Sequence, residues 1–191
     1  MKTINLLSIF LILFTTVSVY AGNPAGSEKE KDLPDGNQEW EILFDGKNMD
    51  KWIGKNGQDF MKGWRIENGL LFLEERAGDI MTKEKYSSFE LVFEFKLTKA
   101  ANSGIKYFVN EVKNVETGKT MINGPEYQII DDYNYKNIKD DPHGKSSSGA
   151  AYLLYAPKGK KLNPHGEWNS GRLIVKGKNV EHWLNGVEVV S

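Results

Sequence analysis

From Phe89 to Leu97 apolar and polar side chains alternate almost without a break. Phe89, Leu91, Phe93, Phe95 and Leu97 fall on one parity, and Glu90, Val92, Glu94 and Lys96 on the other. A period of two is that of a half-buried β-strand, whose successive side chains leave on opposite faces. Asn68-Gly69 separates Trp64-Arg65-Ile66 from Leu70-Leu71-Phe72-Leu73, and Asn185-Gly186 separates the run 180–184 from the run 187–190. Asn-Gly between apolar runs predicts a two-residue hairpin, because both central residues of that turn need positive φ. Gly177-Lys178-Asn179, after Leu173-Ile174-Val175, predicts a further turn. No comparably long stripe of helical period occurs. Short strands at this spacing predict an all-β sandwich or jelly roll.

One strand departs from the simple pattern. Gly124-Pro125-Glu126-Tyr127-Gln128-Ile129-Ile130-Asp131 places carboxylate and amide groups in a run that otherwise looks buried. Polar groups in such a place need partners or a chemical role. Alternation puts Glu126 and Gln128 on one face and Tyr127 and Ile129 on the other, with Asp131 at the exit. One face then suits a core and the other a cleft. The polar stretch 132–148, with Pro142 and Gly144, reads as a long loop of the kind that often binds ligands.

The N-terminus has a different composition. Met1-Lys2 is a small positive start, residues 4–14 are mainly apolar, and Val19-Tyr20-Ala21 fits a small-residue cleavage site. The apolar run is shorter than the ~18 residues of a membrane span. Residues 1–21 are therefore expected to be a signal peptide, residues 22–39 a flexible Gly-, Pro-, Lys- and Glu-rich linker, and 40–191 the folded domain. A periplasmic or secreted protein is expected, with no membrane insertion once the leader is removed. The chain has 191 residues, 39% of them hydrophobic, enough for one core. Its 25 Lys and Arg against 26 Asp and Glu supply no basic field, so nucleic acid is not an expected partner. Zero cysteines exclude disulfides, thiolate metal sites and a cysteine nucleophile.

Several short motifs follow one another in a recognisable order. Phe44-Asp45-Gly46-Lys47 is followed by Trp52, by Trp64 ahead of Glu67-Asn68-Gly69, and by Asn102-Ser103-Gly104-Ile105. The strand 126–131 comes next, then Gly149-Ala150-Ala151-Tyr152, Gly166-Glu167-Trp168-Asn169 and His182-Trp183-Leu184-Asn185-Gly186. Together they resemble the 3-keto-disaccharide hydrolase family, formerly a domain of unknown function, over about residues 40–190. The resemblance implies a concanavalin A-like jelly roll of two curved antiparallel sheets, with a sugar site on the concave face. Two departures stand out. Where the family's Ser-Gly-Ile strand commonly runs on to an arginine, this chain has Phe108, and Lys106 on the same strand face is the substitute cation. The chain also stops at Ser191 where the family continues through further strands, which reads as a truncation.

The chemistry implied by the resemblance acts on 3-keto-glycosides. A ketone at C3 acidifies the C2 hydrogen, so a base can remove it, the C1 substituent can leave by elimination, and water can add back. That route needs a base, a cation or electrophile for the enolate oxygen, and an acid for the leaving oxygen. Glu126 is the expected base, with Gln128 and Asn102 as donors to sugar or enolate oxygens. Lys106 or a bound metal would face the enolate, and His143 on the long loop is the expected acid. Asp131, Tyr133, Phe108 and Trp168 complete the expected substrate-binding set, the aromatics as stacking surfaces.

Each residue also has a plainer reading. Glu126 could pair with Lys106 across adjacent strands, Gln128 could satisfy backbone groups, and Asn102 and Asp131 could form turns. His143 could belong to a solvated loop, and His182, alternating with Val180 and Leu184, reads as a satisfied sheet histidine. No dense metal-ligand spacing is present, so no cofactor is expected, with a divalent metal left open. A noncatalytic carbohydrate-binding module on the same sandwich is the alternative function.

Overall fold

The structure, a computed structural model, describes residues 12–14, 17–20, 40–54, 63–73, 78–118, 120–136 and 143–191. Among these residues it is all strand with no helix. The first seven strands are β1 (Ile12–Phe14), β2 (Val17–Tyr20), β3 (Glu41–Phe44), β4 (Trp52–Gly54), β5 (Trp64–Glu67), β6 (Leu70–Leu73) and β7 (Ile80–Thr82). The next five are β8 (Phe89–Leu97), β9 (Asn102–Lys106), β10 (Asn110–Lys113), β11 (Thr120–Asn123) and β12 (Glu126–Ile130). β13 (Trp168–Lys176), β14 (Asn179–Leu184) and β15 (Val187–Val190) complete the chain.

All pairings are antiparallel. The main sheet runs β15-β14-β13-β8-β1-β6-β5, with β2 and β3 attached beside β8. β9 pairs with β12, β10 with β11, and β4 with β7, as separate two-stranded sheets. Both Asn-Gly pairs close hairpins as expected, with φ of 51° and 77° at Asn68 and Gly69 and of 48° and 76° at Asn185 and Gly186. The β8 alternation is realised too, with Leu91, Phe93, Phe95 and Leu97 all buried. The backbone of residues 12–14 and 17–20, within the segment whose composition suggests a leader, pairs with β8, β6 and β3. The expected linker, residues 22–39, lies outside the described residues.

The core forms where the inner face of the main sheet meets the inner face of the β9–β12 pair. Tyr127 of β12 meets Phe93 of β8 edge-on at 5.4 Å and lies 4.7 Å from the ring of His182 on β14. Leu43, Phe44, Leu71, Ile129, Leu173 and Leu184 fill the same interior. Each such side chain, fully buried, contributes roughly 1.5–3 kcal/mol. This is the sandwich that the strand pattern predicts. Its second layer is carried by β9 and β12.

Candidate functional site

β12 is held on both edges. On one side the register with β9 is Glu126 to Lys106, Tyr127 to Ile105, Gln128 to Gly104, Ile129 to Ser103 and Ile130 to Asn102. On the other, Tyr127 bridges Ala151, with Tyr152 N–H donating to Glu126 O at 2.9 Å and Gln128 N–H to Ala150 O at 3.0 Å. Tyr127, Ile129 and Ala151 turn inward and are buried. Residues one step along leave on the opposite face. The register thus sets Lys106, Glu126 and Tyr152 in a row across that outer face.

Glu126 lies over Gly104. A Cβ on Gly104 would stand 2.0 Å from Glu126 Oε1 and 2.6 Å from its Cγ, so the carboxylate occupies space that only a glycine leaves free. The group is partly buried, and burial raises its pKa above the ordinary carboxylate range. Lys106 opposes that shift and Asp79 adds to it, so both lie within electrostatic reach. Asp79 precedes β7, and its neighbour Gly78 is held by its carbonyl, which accepts the Trp64 indole N–H at 2.9 Å. A partly buried carboxylate with raised proton affinity, flanked by an ammonium, can remove a proton from a carbon acid and leave an anion facing a cation.

The remaining expected residues fall elsewhere. Asn102 shares the outer face but pairs with Ile130, four residues from Glu126, roughly 13 Å along the strand. Gln128 is also on that face yet is covered and 3% exposed. Its amide donates to Ser146 O and its carbonyl accepts Ile129 N–H, so both ends of the amide are engaged by the backbone. Asp131 anchors a turn at the exit of β12. One of its oxygens accepts Ala100 N–H at 2.8 Å, and the other accepts Tyr133 N–H and the Asn134 amide. Tyr133 is exposed but stands in that turn, at the end of β12 away from Glu126. His143 is within electrostatic reach of Asp132, also beyond the exit of β12. Phe108 has left the strand, with φ of 49° and its ring 5.5 Å from Tyr107.

Trp168 is on the wrong side of the molecule for this site. It pairs with Lys96 of β8, whose ammonium sits 5.0 Å from its ring centre. Its neighbour Asn169 and the Lys96 neighbour Phe95 both point into the core. Trp168 is therefore on the outer face of the main sheet, while Glu126 is on the outer face of the opposing layer. Alternation determines which residues share a face of a strand but not which layer that face looks away from.

The inner side of the site is tied to the main sheet. The Tyr127 hydroxyl donates to Trp183 O at 2.8 Å. His182 is fully buried, its Nδ1 3.0 Å from Gly149 O and its Nε2 3.1 Å from the Tyr107 hydroxyl. A carbonyl only accepts, so Nδ1 carries the proton and Nε2 accepts from Tyr107. Burial lowers its pKa to about 4, and it is a satisfied neutral histidine as its alternation suggests. Among the described residues no three His, Asp or Glu side chains gather in a metal-binding group, and no helix is long and apolar enough to cross a membrane.

Comparison with known proteins adds the family. A curated 3-keto-disaccharide hydrolase from Bacteroides thetaiotaomicron is 28% identical over 164 residues, which cover 78% of this chain and 57% of that relative. The chain thus spans little more than half the length of that protein. Two solved structures from Parabacteroides distasonis ATCC 8503, each carrying the provisional name glycosyl hydrolase, are 36% and 30% identical with TM-scores of 0.67 and 0.54. The matches cover 78% and 74% of this chain and 70% and 71% of those chains. A third, 21% identical with a TM-score of 0.55, covers 78% of this chain and 63% of its own and shares the fold. Residues 39–191 match the family model in one span, and the chain belongs to the family of 3-keto-alpha-glucoside-1,2-lyase-like domains.

Proposed function

We propose that this domain cleaves 3-keto-glucosides by elimination across C1 and C2, Glu126 taking the C2 proton and Lys106 facing the enolate oxygen at C3. One observation carries the reading: a partly buried carboxylate of raised pKa is seated over Gly104 directly across the ladder from an ammonium. A base works best when its pKa approaches the working pH, and burial moves Glu126 that way. The names of the family and of the curated relative support the same substrate class. Elimination alone yields an unsaturated keto sugar, and water adding back at C1 completes a hydrolysis. The leader-like composition of residues 1–21 fits a periplasmic or secreted setting for such an activity.

NMR of a 3-keto-disaccharide incubated with the protein tests this. Cleavage is expected, and Glu126→Gln is expected to lower its rate by about 10²–10⁴-fold. Line broadening without cleavage would assign the domain to carbohydrate binding instead. Full turnover by Glu126→Gln would remove Glu126 as the base.

A further inference from the structure

The row across the outer face has a third member that the proposed chemistry leaves unused. We propose that Tyr152 is the acid of this site, its hydroxyl giving a proton to the glycosidic oxygen as the C1–O bond breaks. The inference rests on the proposed elimination and adds an acid to it in place of His143, whose charge is felt at Asp132 beyond the exit of β12.

Three observations carry it. Tyr152 stands directly across from Glu126, its N–H donating to Glu126 O at 2.9 Å, on the side of β12 opposite Lys106. It is 39% exposed, in a turn whose next residues Leu153, Leu154 and Tyr155 are exposed as well, so its ring reaches solvent beside Glu126. Its backbone is held from both directions. Leu153 N–H donates to Lys145 O at 2.9 Å, and the N–H groups of Leu154 and Tyr155 both reach Ala151 O. Leu153 itself is locked at φ of 59°, a left-handed conformation that a leucine adopts only when its surroundings impose it.

The order of the row matches the order of the reacting atoms. In a 3-keto-glucoside C2 lies between the C3 carbonyl and the C1 leaving group. In the protein Glu126 lies between Lys106 and Tyr152, each about 4.8 Å away in strand spacing. With C2 over Glu126, a ring whose C3 oxygen points to Lys106 presents its C1 oxygen to Tyr152. The carboxylate takes the C2 proton and the bonding pair becomes the C2–C3 double bond of an enolate. When the carbonyl re-forms, that pair becomes the C1–C2 double bond, C1–O breaks, and the departing oxygen takes the phenol proton. Water then adds at C1 and gives a proton to the phenolate, while Glu126 returns its proton to C2. Both groups end as they began.

Two substrates and one isotope measurement test this. Tyr152→Phe is expected to lower cleavage of a 3-keto-disaccharide, whose leaving alcohol needs a proton, by about 10²-fold or more. It should leave a nitrophenyl 3-keto-glucoside, whose phenolate leaves unaided, within a few-fold. Exchange of the C2 hydrogen in deuterated water should persist, because Glu126 is intact. Retained disaccharide cleavage would overturn the Tyr152 role alone, and so would equal loss on both substrates together with exchange. Absence of both exchange and cleavage in the unaltered protein would overturn the elimination reading, and the acid with it.

Discussion

A methyl group on Gly104 would collide with the Glu126 side chain, so the carboxylate keeps its place only because residue 104 has none. Gly104→Ala should push the carboxylate outward, where it regains water and loses the rise in pKa that burial causes. Displacing a reacting group by about 1 Å can cost 10²-fold, and a loss of that order in turnover is expected. The acid limb of the pH–rate profile should move to lower pH, since a base with an ordinary pKa is already ionised there. A drop in rate with the limb unmoved would mean that Gly104 serves only the strand. The shared face of Glu126 and Gln128 was legible in the sequence because period two determines it, whereas Lys106 joins them through the register of β9 with β12. The notch at Gly104 was not, because it depends on which neighbour's side chain crosses that glycine. Asp79 was equally hidden: it precedes a three-residue strand that no periodicity marks, and the Trp64 indole that anchors its neighbour is fifteen residues away in sequence.

Between elements, the exit of β12 depends on a buried ion pair. Asp132 accepts the Ser148 N–H at 2.8 Å and is paired with Lys160, both side chains being almost inaccessible. Burial raises the pKa of Asp132 although these partners favour its charge. Lys160→Met should therefore strand a carboxylate in the interior, at a cost of about 3–5 kcal/mol. For a domain of this size Tm should fall by roughly 10 °C. Adding Asp132→Asn should recover part of the loss, and a Tm unchanged in the single variant would show that the pair does not hold this junction. The hairpins were legible because Asn-Gly carries its own backbone requirement. The partners of Asp131 and Asp132 were not, since Ala100, Ser148 and Lys160 are brought in by tertiary packing alone. Trp168 shows the same limit, its neighbours in sequence being informative and its layer not.

For the molecule as a whole, His182 joins the main sheet to both the end of β9 and the loop beside β12. Its pKa is lowered to about 4, against about 6.5 in an unfolded chain. The stability it supports is present above pH 6.5 and is lost as pH falls towards 4, because the unfolded chain takes up the proton first. The shift corresponds to about 3 kcal/mol. Denaturant unfolding at a series of pH values should show this decline, and His182→Gln should flatten it by about one proton while lowering stability at neutral pH. An unaltered slope would mean that other groups set the acid sensitivity. The sandwich was legible from alternation and turns, whereas the coupling of its layers through Tyr107, His182 and Gly149 needed the fold. The two-faced character of β12 also constrains how such a domain can diverge. Replacing Glu126 or its neighbours on the outer face leaves Tyr127 and Ile129 in the core, so substitutions can retune one face while sparing the other. An insertion or deletion of one residue within the strand would exchange the faces together. Lineages of this domain should therefore vary in the letters of this strand and hold its length fixed.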